Sequence, residues 1–144
     1  MKIEDFRQEL FRASVCTQEL FRKLVIPVCQ RYDFTLQQMF VLGSLYQQNE
    51  QTPRELSDQI GVSPNNFALV VKKLEERSLV GRKRSAADGR VSILYLTEAG
   101  EELLQALERD MTCQYGSLFE QIPDETFRKI VEGFEALNEL SWRI

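Results

Sequence analysis

The chain has no histidine in 144 residues. That absence removes the commonest general base and the commonest metal ligand. Its three cysteines, Cys16, Cys29 and Cys113, fit no metal-ligand spacing, and an odd count does not suggest a disulfide framework. No apolar run approaches the roughly 20 residues needed to cross a bilayer. The opening stretch MKIEDFRQEL is acidic and amphipathic, unlike a signal peptide. The carboxylates fall on what read as solvated helix faces. The expectation is a cytoplasmic protein that is not an enzyme, holds no metal or other cofactor and has no membrane partner.

What is present is ordinary for a packed domain. Hydrophobic residues make up 43% and charged residues 28%, enough apolar material for a core. The length suits one domain, or one domain with dimerisation arms. The net charge of −4 argues against a nucleic-acid partner until its distribution is followed. Residues 1–53 carry six Lys/Arg and six Asp/Glu, and residues 54–96 carry eight and five. Residues 97–144 carry four and eleven. A basic middle between a neutral and an acidic arm is a local electrostatic footprint.

The hydrophobic spacing predicts a mainly helical protein. Phe6, Leu10, Val15, Leu20, Leu24 and Val28 recur at helical intervals in a long first helix from about Ile3 to Tyr32. Pro27 should kink or split it. Thr35 opens a second helix, and the polar run Gln47 to Gln51 reads as a connection. Thr52, Pro53 and Glu55 form a capping box with Pro at the first helical position, and Gly61 ends the third helix. Ser63 and Pro64 repeat that punctuation, and Phe67, Val70, Val71 and Leu74 share one face of a fourth helix. Two short helices joined by a tight turn are the layout of a helix-turn-helix.

After Arg77 the pattern changes. Leu79-Val80 begins a strand, and Arg82, Lys83 and Arg84 lead into a turn from Ser85 to Gly89. Val91 to Leu96 alternates as a second strand, so a wing with a basic tip is expected. Thr97 caps a further helix with Gly100 at its third position, followed by Leu104, Leu107, Met111, Tyr115, Leu118 and Ile122. Pro123 and Asp124 interrupt the chain before a last helix bearing Phe127, Ile130, Phe134, Leu137 and Leu140 on one face. A compact 35–96 unit can cover only part of these apolar stripes, and the surplus points to pairing between two copies.

This organisation resembles the MarR family of bacterial transcription regulators across nearly the whole chain. The likeness is carried by Pro27 with Thr35 to Leu42, by Thr52 to Ser57, and by Val62-Ser63 with Leu69 to Leu74. It continues through Leu79-Val80 with Arg82, then Asp88-Gly89-Arg90, six intervening residues, and Thr97-Glu98-Ala99-Gly100. The resemblance implies a winged helix-turn-helix lobe over 35–96, with dimerisation helices over 1–32 and 97–144. It implies a homodimer, a repressor bound to a pseudo-palindromic double-stranded DNA operator. The chain departs from the family at Ser78, where Gly is common, at Ala68 and Leu69, where polar residues are common, and at its Asp-Gly-Arg wing.

On this reading Ser63, Pro64, Asn65 and Asn66 present the N-terminal turn of the recognition helix to the major groove. An amide can read adenine bidentately, and Ala68 and Leu69 can pack on a thymine methyl, so A·T-rich half-sites are expected. Asn66 also reads simply as the N3 residue of the cap, and Leu69 as partly core. Lys72 and Lys73 suit phosphates, or a solvated face paired with Glu75, Glu76 or both. On the wing, Arg82 and Arg84 add positive charge and Asp88 shapes the tip by pairing with a nearby Arg. Arg90 reaches the minor groove, whose negative potential is enhanced where it is narrow and A·T-rich. The alternative for Arg90 is a structural pair with Asp88.

The resemblance also implies switching by small, often aromatic ligands, and in some members by cysteine oxidation. Phe11, Phe21, Tyr32, Phe40 and Tyr46 read as core aromatics or as the lining of a ligand pocket. Cys16 lies roughly where the hydroperoxide-sensing branch keeps its reactive cysteine, yet it reads more simply as a buried inert thiol. Two alternatives to a ligand-released repressor stay open: a cysteine-based redox sensor, and a winged-helix protein-interaction module without DNA binding.

Overall fold

The computed structural model describes residues 2–143 and is mostly helical, with one small antiparallel sheet. The helices are α1 (Ile3–Leu20), α2 (Ile26–Arg31), α3 (Leu36–Gln47), α4 (Pro53–Ile60), α5 (Pro64–Glu76), α6 (Glu98–Phe119) and α7 (Asp124–Ser141). Strands β1 (Val80–Arg84) and β2 (Ser92–Leu96) lie between α5 and α6. The chain divides into two compact units, one up to Glu108 and one from Arg109 on.

In the first unit, α1 and α2 are joined without a break by a π-helical turn, Phe21–Val25. Pro27 neither splits nor simply ends the helix. Its ring would clash with the carbonyl four residues back, and it has no N–H to donate. Widening the turn ahead of it accommodates one extra residue, and the Ile26 N–H reaches back five residues to the Phe21 carbonyl.

The helix starts are made locally. Thr35, Thr52 and Ser63 each accept a hydrogen bond from the backbone N–H three residues on, and the first two form full capping boxes with Gln38 and Glu55. Leu42, Leu45, Leu56, Leu74, Leu94, Val41 and Val71 form the fully buried centre of the core, with Phe67 and Val70 beside them. Thus α5 inserts the apolar face that its spacing predicts.

The end of α5 has a Schellman geometry with an unusual residue. Leu79 N–H donates to the Leu74 carbonyl at 3.0 Å and Ser78 N–H to the Glu75 carbonyl at 2.9 Å. Leu79 and Leu74 are both buried. Ser78 takes the left-handed conformation this motif requires, with φ of 58°. Its carbonyl accepts the Thr97 hydroxyl at 2.7 Å, and Leu79 O accepts the Thr97 N–H at 3.1 Å. Thr97 in turn caps α6 by accepting the Gly100 N–H at 3.1 Å.

The sheet pairs Val80 with Leu96 through to Arg84 with Ser92. Two features differ from the sequence expectation. Arg82, Lys83 and Arg84 lie within β1 rather than at the wing tip. The stretch 47–51 is more than a polar connection: Gln51 is buried and forms a bridge with Leu94 on the free edge of β2. Its Nε2 donates to the carbonyls of Ser44 and Gln48, and its Oε1 accepts Gln59 Nε2 at 2.8 Å. Asn49 Oδ1 accepts the Leu96 N–H at 2.9 Å, so β2 has partners on both edges.

In the second unit, Phe119 and Phe127 stack with ring centroids 5.7 Å apart. No residue of α7 is buried, and Ile130, Val131, Phe134, Leu137 and Leu140 are exposed. The same holds for α1 in the first unit, where Ile3, Leu10, Phe11, Val15 and Leu20 are exposed. Among the described residues no helix is long and apolar enough to cross a membrane, and no cluster of acidic or cysteine side chains could hold a metal ion.

Candidate nucleic-acid interface

Helix α5 buries one face and leaves the other open. Ser63, Pro64, Asn65, Asn66, Ala68, Leu69, Lys72 and Lys73 are all exposed. Leu69 is 62% exposed, so it is not a core residue. An exposed leucine flanked by Asn65, Asn66, Lys72 and Lys73 is an apolar point within a polar and basic surface. The Asn66 backbone N–H serves the Ser63 cap at 3.4 Å, which leaves the Asn66 side chain outside the capping bond. Lys72 approaches Glu76 at 3.9 Å, a loose exposed pair that costs little to open.

The wing residues divide by partner. Arg82 Nε donates to Glu75 Oε1 at 3.0 Å, and its Nη1 to Ser92 Oγ at 3.3 Å. Lys83 is ion-paired with Glu50 and lies over the Tyr95 ring, 5.6 Å from the centroid. Arg84 Nη1 donates to the Arg90 carbonyl at 3.3 Å. At the tip, Asp88 pairs with no arginine side chain among the described residues. Its Oδ1 accepts the Arg90 backbone N–H at 3.0 Å, and its carbonyl accepts the Val91 N–H at 3.0 Å. Asp88 therefore shapes the turn through the backbone, as short acidic side chains do. Among the described residues the Arg90 guanidinium has no carboxylate partner, and Arg90 is exposed to solvent.

Glycine at position 81 allows the strand pair to close. A β-carbon there would lie 2.3 Å from Tyr95 Cζ, inside the ring that covers this point of β1. Arg77, at the end of α5, donates to the carbonyls of Asp33 and Tyr32 at 2.9 and 3.1 Å. Its guanidinium carbon lies 4.1 Å from the Phe34 ring centroid, so it ties α5 to the end of α2. Sequence spacing gave no signal for Arg77 or Glu50, nor for Glu75 as a partner of the wing, because their partners lie on other elements.

An open cavity of about 610 Å³ lies between α4 and α5, lined by Pro53, Arg54, Ser57, Phe67, Ala68 and Arg82 among others. None of the aromatic residues expected to line a pocket borders it. Phe21 and Phe40 pack edge to face at 5.7 Å instead, while Phe11 and Tyr46 are exposed. The cysteines also depart from expectation: Cys16 is exposed rather than buried, and Cys113 is exposed as well. Cys29 is the buried one, and burial pushes its thiol pKa up.

Known proteins share this geometry. The chain is 29% identical over 92 residues to the HTH-type transcriptional regulator MhqR of Bacillus subtilis, covering 64% of this chain and 63% of that protein. It is 30% identical over 87 residues to the HTH-type transcriptional repressor MdtR of Bacillus subtilis, covering 58% and 56%. The match thus spans about three fifths of the length of these relatives. Among solved structures, AbfR of Staphylococcus epidermidis superposes with a TM-score of 0.78 at 20% identity, over 98% of this chain and 96% of that one. A structure of overoxidized AbfR bound to DNA aligns with a TM-score of 0.64 at 26% identity, over 97% and 99%. Residues 23–107, more than half of the chain, match the family described as transcriptional regulator SarA/Rot. The protein therefore belongs to the SarA/Rot family of transcriptional regulators, winged-helix proteins of the MarR type rather than enzymes.

Proposed function

We propose that the protein acts in the cytoplasm as a homodimeric repressor that binds a pseudo-palindromic double-stranded DNA operator and is released by a small, often aromatic ligand. The observation that carries the DNA reading is the open face of α5 together with Arg90 at the wing tip, whose guanidinium has no carboxylate partner among the described residues. Ser63, Pro64, Asn65, Asn66 and Leu69 form the part of α5 that reads base edges, with A·T pairs favoured by the amides and the leucine. Lys72, Lys73 and Arg84 contact phosphates, and Asp88 holds the turn that aims Arg90 into the minor groove. DNA in the AbfR structure and the repressor name of MdtR support this reading.

The dimer is supported by the uncovered apolar residues of α1 and of α7, which are too many for a solvated surface. Residues 1–32 and 97–144 supply the dimer contacts, and 35–96 forms the DNA-binding lobe. Two-fold symmetry then sets the recognition helices about one DNA turn apart. A winged helix used only for protein contacts would have no use for an open cation at the tip of its wing.

The test is a gel shift with duplexes selected from a random pool, repeated at several salt concentrations. Wild-type protein should select A·T-rich half-sites in phase. Arg90→Ala should leave the dimer intact, weaken binding and flatten the plot of log K against log salt by about 0.9 for each phosphate no longer neutralised. Unchanged affinity and slope would refute the role of Arg90, and failure to select any duplex would refute DNA binding.

A further inference from the structure

The basic residues of the wing are not equivalent. Neighbouring residues of a strand face opposite sides, so Arg82 and Lys83 leave β1 in opposite directions. Each meets a carboxylate on a different element: Arg82 meets Glu75 in the last turn of α5, and Lys83 meets Glu50 between α3 and α4. Glu50 sits in the left-handed region, with φ of 65°. Two fields oppose the Glu75 carboxylate. It lies at the negative end of the α5 dipole and beside a surface proposed to hold phosphates. Arg82 is the neighbour that reconciles it with both, and the side chains of Arg82 and Glu75 are 46% and 31% exposed.

We propose that Glu75 and Arg82 are a positioning pair that sets the angle of the wing against the recognition helix, so that Arg90 meets DNA while α5 occupies its groove. Arg82 is thereby a strut rather than a phosphate contact. Its second bond, to Ser92 Oγ, carries the same restraint across to β2. The Lys83–Glu50 pair braces the other face of β1. This inference rests on the DNA-binding reading above.

Glu75→Gln separates the strut from its alternatives by sign. Removing a negative charge beside DNA should tighten binding or leave it unchanged if Glu75 has no positioning role. With the strut, Glu75→Gln weakens operator binding about three- to tenfold, the scale of an exposed ion pair acting in two lobes. The slope of log K against log salt flattens by no more than Arg90→Ala flattens it, because Lys72, Lys73 and Arg84 keep their phosphates. Arg82→Gln behaves likewise, and the double variant is no worse than either single one. Arg90→Ala also costs less affinity in the Glu75→Gln background than in the wild type, a coupling between residues that do not touch. Arg82→Lys, which keeps a cation within reach of Glu75, recovers much of the loss.

Binding by anisotropy across a salt series, with thermal melts of each variant, decides the matter. Equal or tighter binding by Glu75→Gln overturns the inference, as does a salt slope for Arg82→Gln shallower than that for Glu75→Gln, which would make Arg82 a phosphate contact in its own right. Full additivity of Glu75→Gln with Arg90→Ala also overturns it, because a loss through general destabilisation would leave the two uncoupled. If wild-type protein binds no operator, the DNA reading fails and the strut with it. If wild-type protein binds and Glu75→Gln matches it, only the strut fails.

Discussion

Gly100→Ala adds one methyl group at a point with no room for it. The new β-carbon would lie 2.3 Å from the Leu79 carbonyl oxygen and 2.7 Å from Leu96 Cδ1. An ordinary carbon–oxygen approach is about 3.3 Å or more, so α6 must retreat by roughly 1 Å. The carbonyl cannot turn aside freely, because it accepts the Thr97 N–H at 3.1 Å. Retreat also stretches the Thr97 hydroxyl bond to Ser78 O, now 2.7 Å. Overpacking of this kind costs about 1–3 kcal/mol. Two weakened hydrogen bonds add about 1–2 kcal/mol. The better helix propensity of alanine returns at most about 1 kcal/mol. The net loss is about 1–4 kcal/mol, or a fall in Tm of roughly 3–13 °C. Urea denaturation and melts at one fixed chain concentration measure it, since subunit association shifts apparent stability. Gly43→Ala is the control: a β-carbon at Gly43 meets nothing within 4 Å, so that variant should gain about 0.5–1 kcal/mol. A Gly100→Ala protein as stable as the wild type would refute the reasoning.

Ser78→Gly removes a side chain from the left-handed region at φ of 58° and should stabilise the protein by about 0.5–1 kcal/mol, read by the same urea titration. A destabilised variant would mean that the serine side chain contributes more than its backbone costs. The buried Cys29 thiol, whose pKa is raised chiefly by desolvation, should resist alkylation in the folded protein and react once urea unfolds it. The linkage has a definite sign. Below the ordinary thiol pKa both states keep the proton and stability is unaffected. As pH rises past it the unfolded chain ionises first, so stability falls; Cys29→Ala should remove that part of the alkaline loss.

Much of the architecture was legible because its signals are local. Thr35, Thr52, Ser63 and Thr97 each act on an N–H three residues on, within the span that a sequence displays directly. The buried face of α5 followed from spacing alone. The wing was found but its basic residues were misplaced. Arg82, Lys83 and Arg84 have weak strand preference, which pairing with β2 overrides. Polarity marks a loop, so Gln51 reads as part of a connection, whereas four polar partners make its burial tolerable. The exposed face of α5 was visible as a set of residues. The pairing that holds the wing was not, since Lys83 and Glu50 stand 33 residues apart and Asn49 and Leu96 stand 47 apart. Periodicity carries no information at those separations.

The widened turn at Phe21–Val25 has a consequence for how one continuous helix serves two surroundings. Each residue of an α-helix advances the direction of its side chain by about 100°. Accommodating one extra residue therefore rotates everything after the turn by that amount relative to everything before it. Upstream, α1 buries none of its residues; downstream, Val28 and Cys29 are almost wholly enclosed by the lobe. A stripe carried through Phe21–Val25 at α-helical spacing would lose its phase, and the wide turn is that phase shift. Deleting one residue from Phe21–Val25 would leave composition and hydrophobicity nearly unchanged. It would nonetheless swing the α1 stripe through about a quarter turn relative to the lobe. Between these two stripes it is the count of residues, more than their kind, that sets which way the first helix faces.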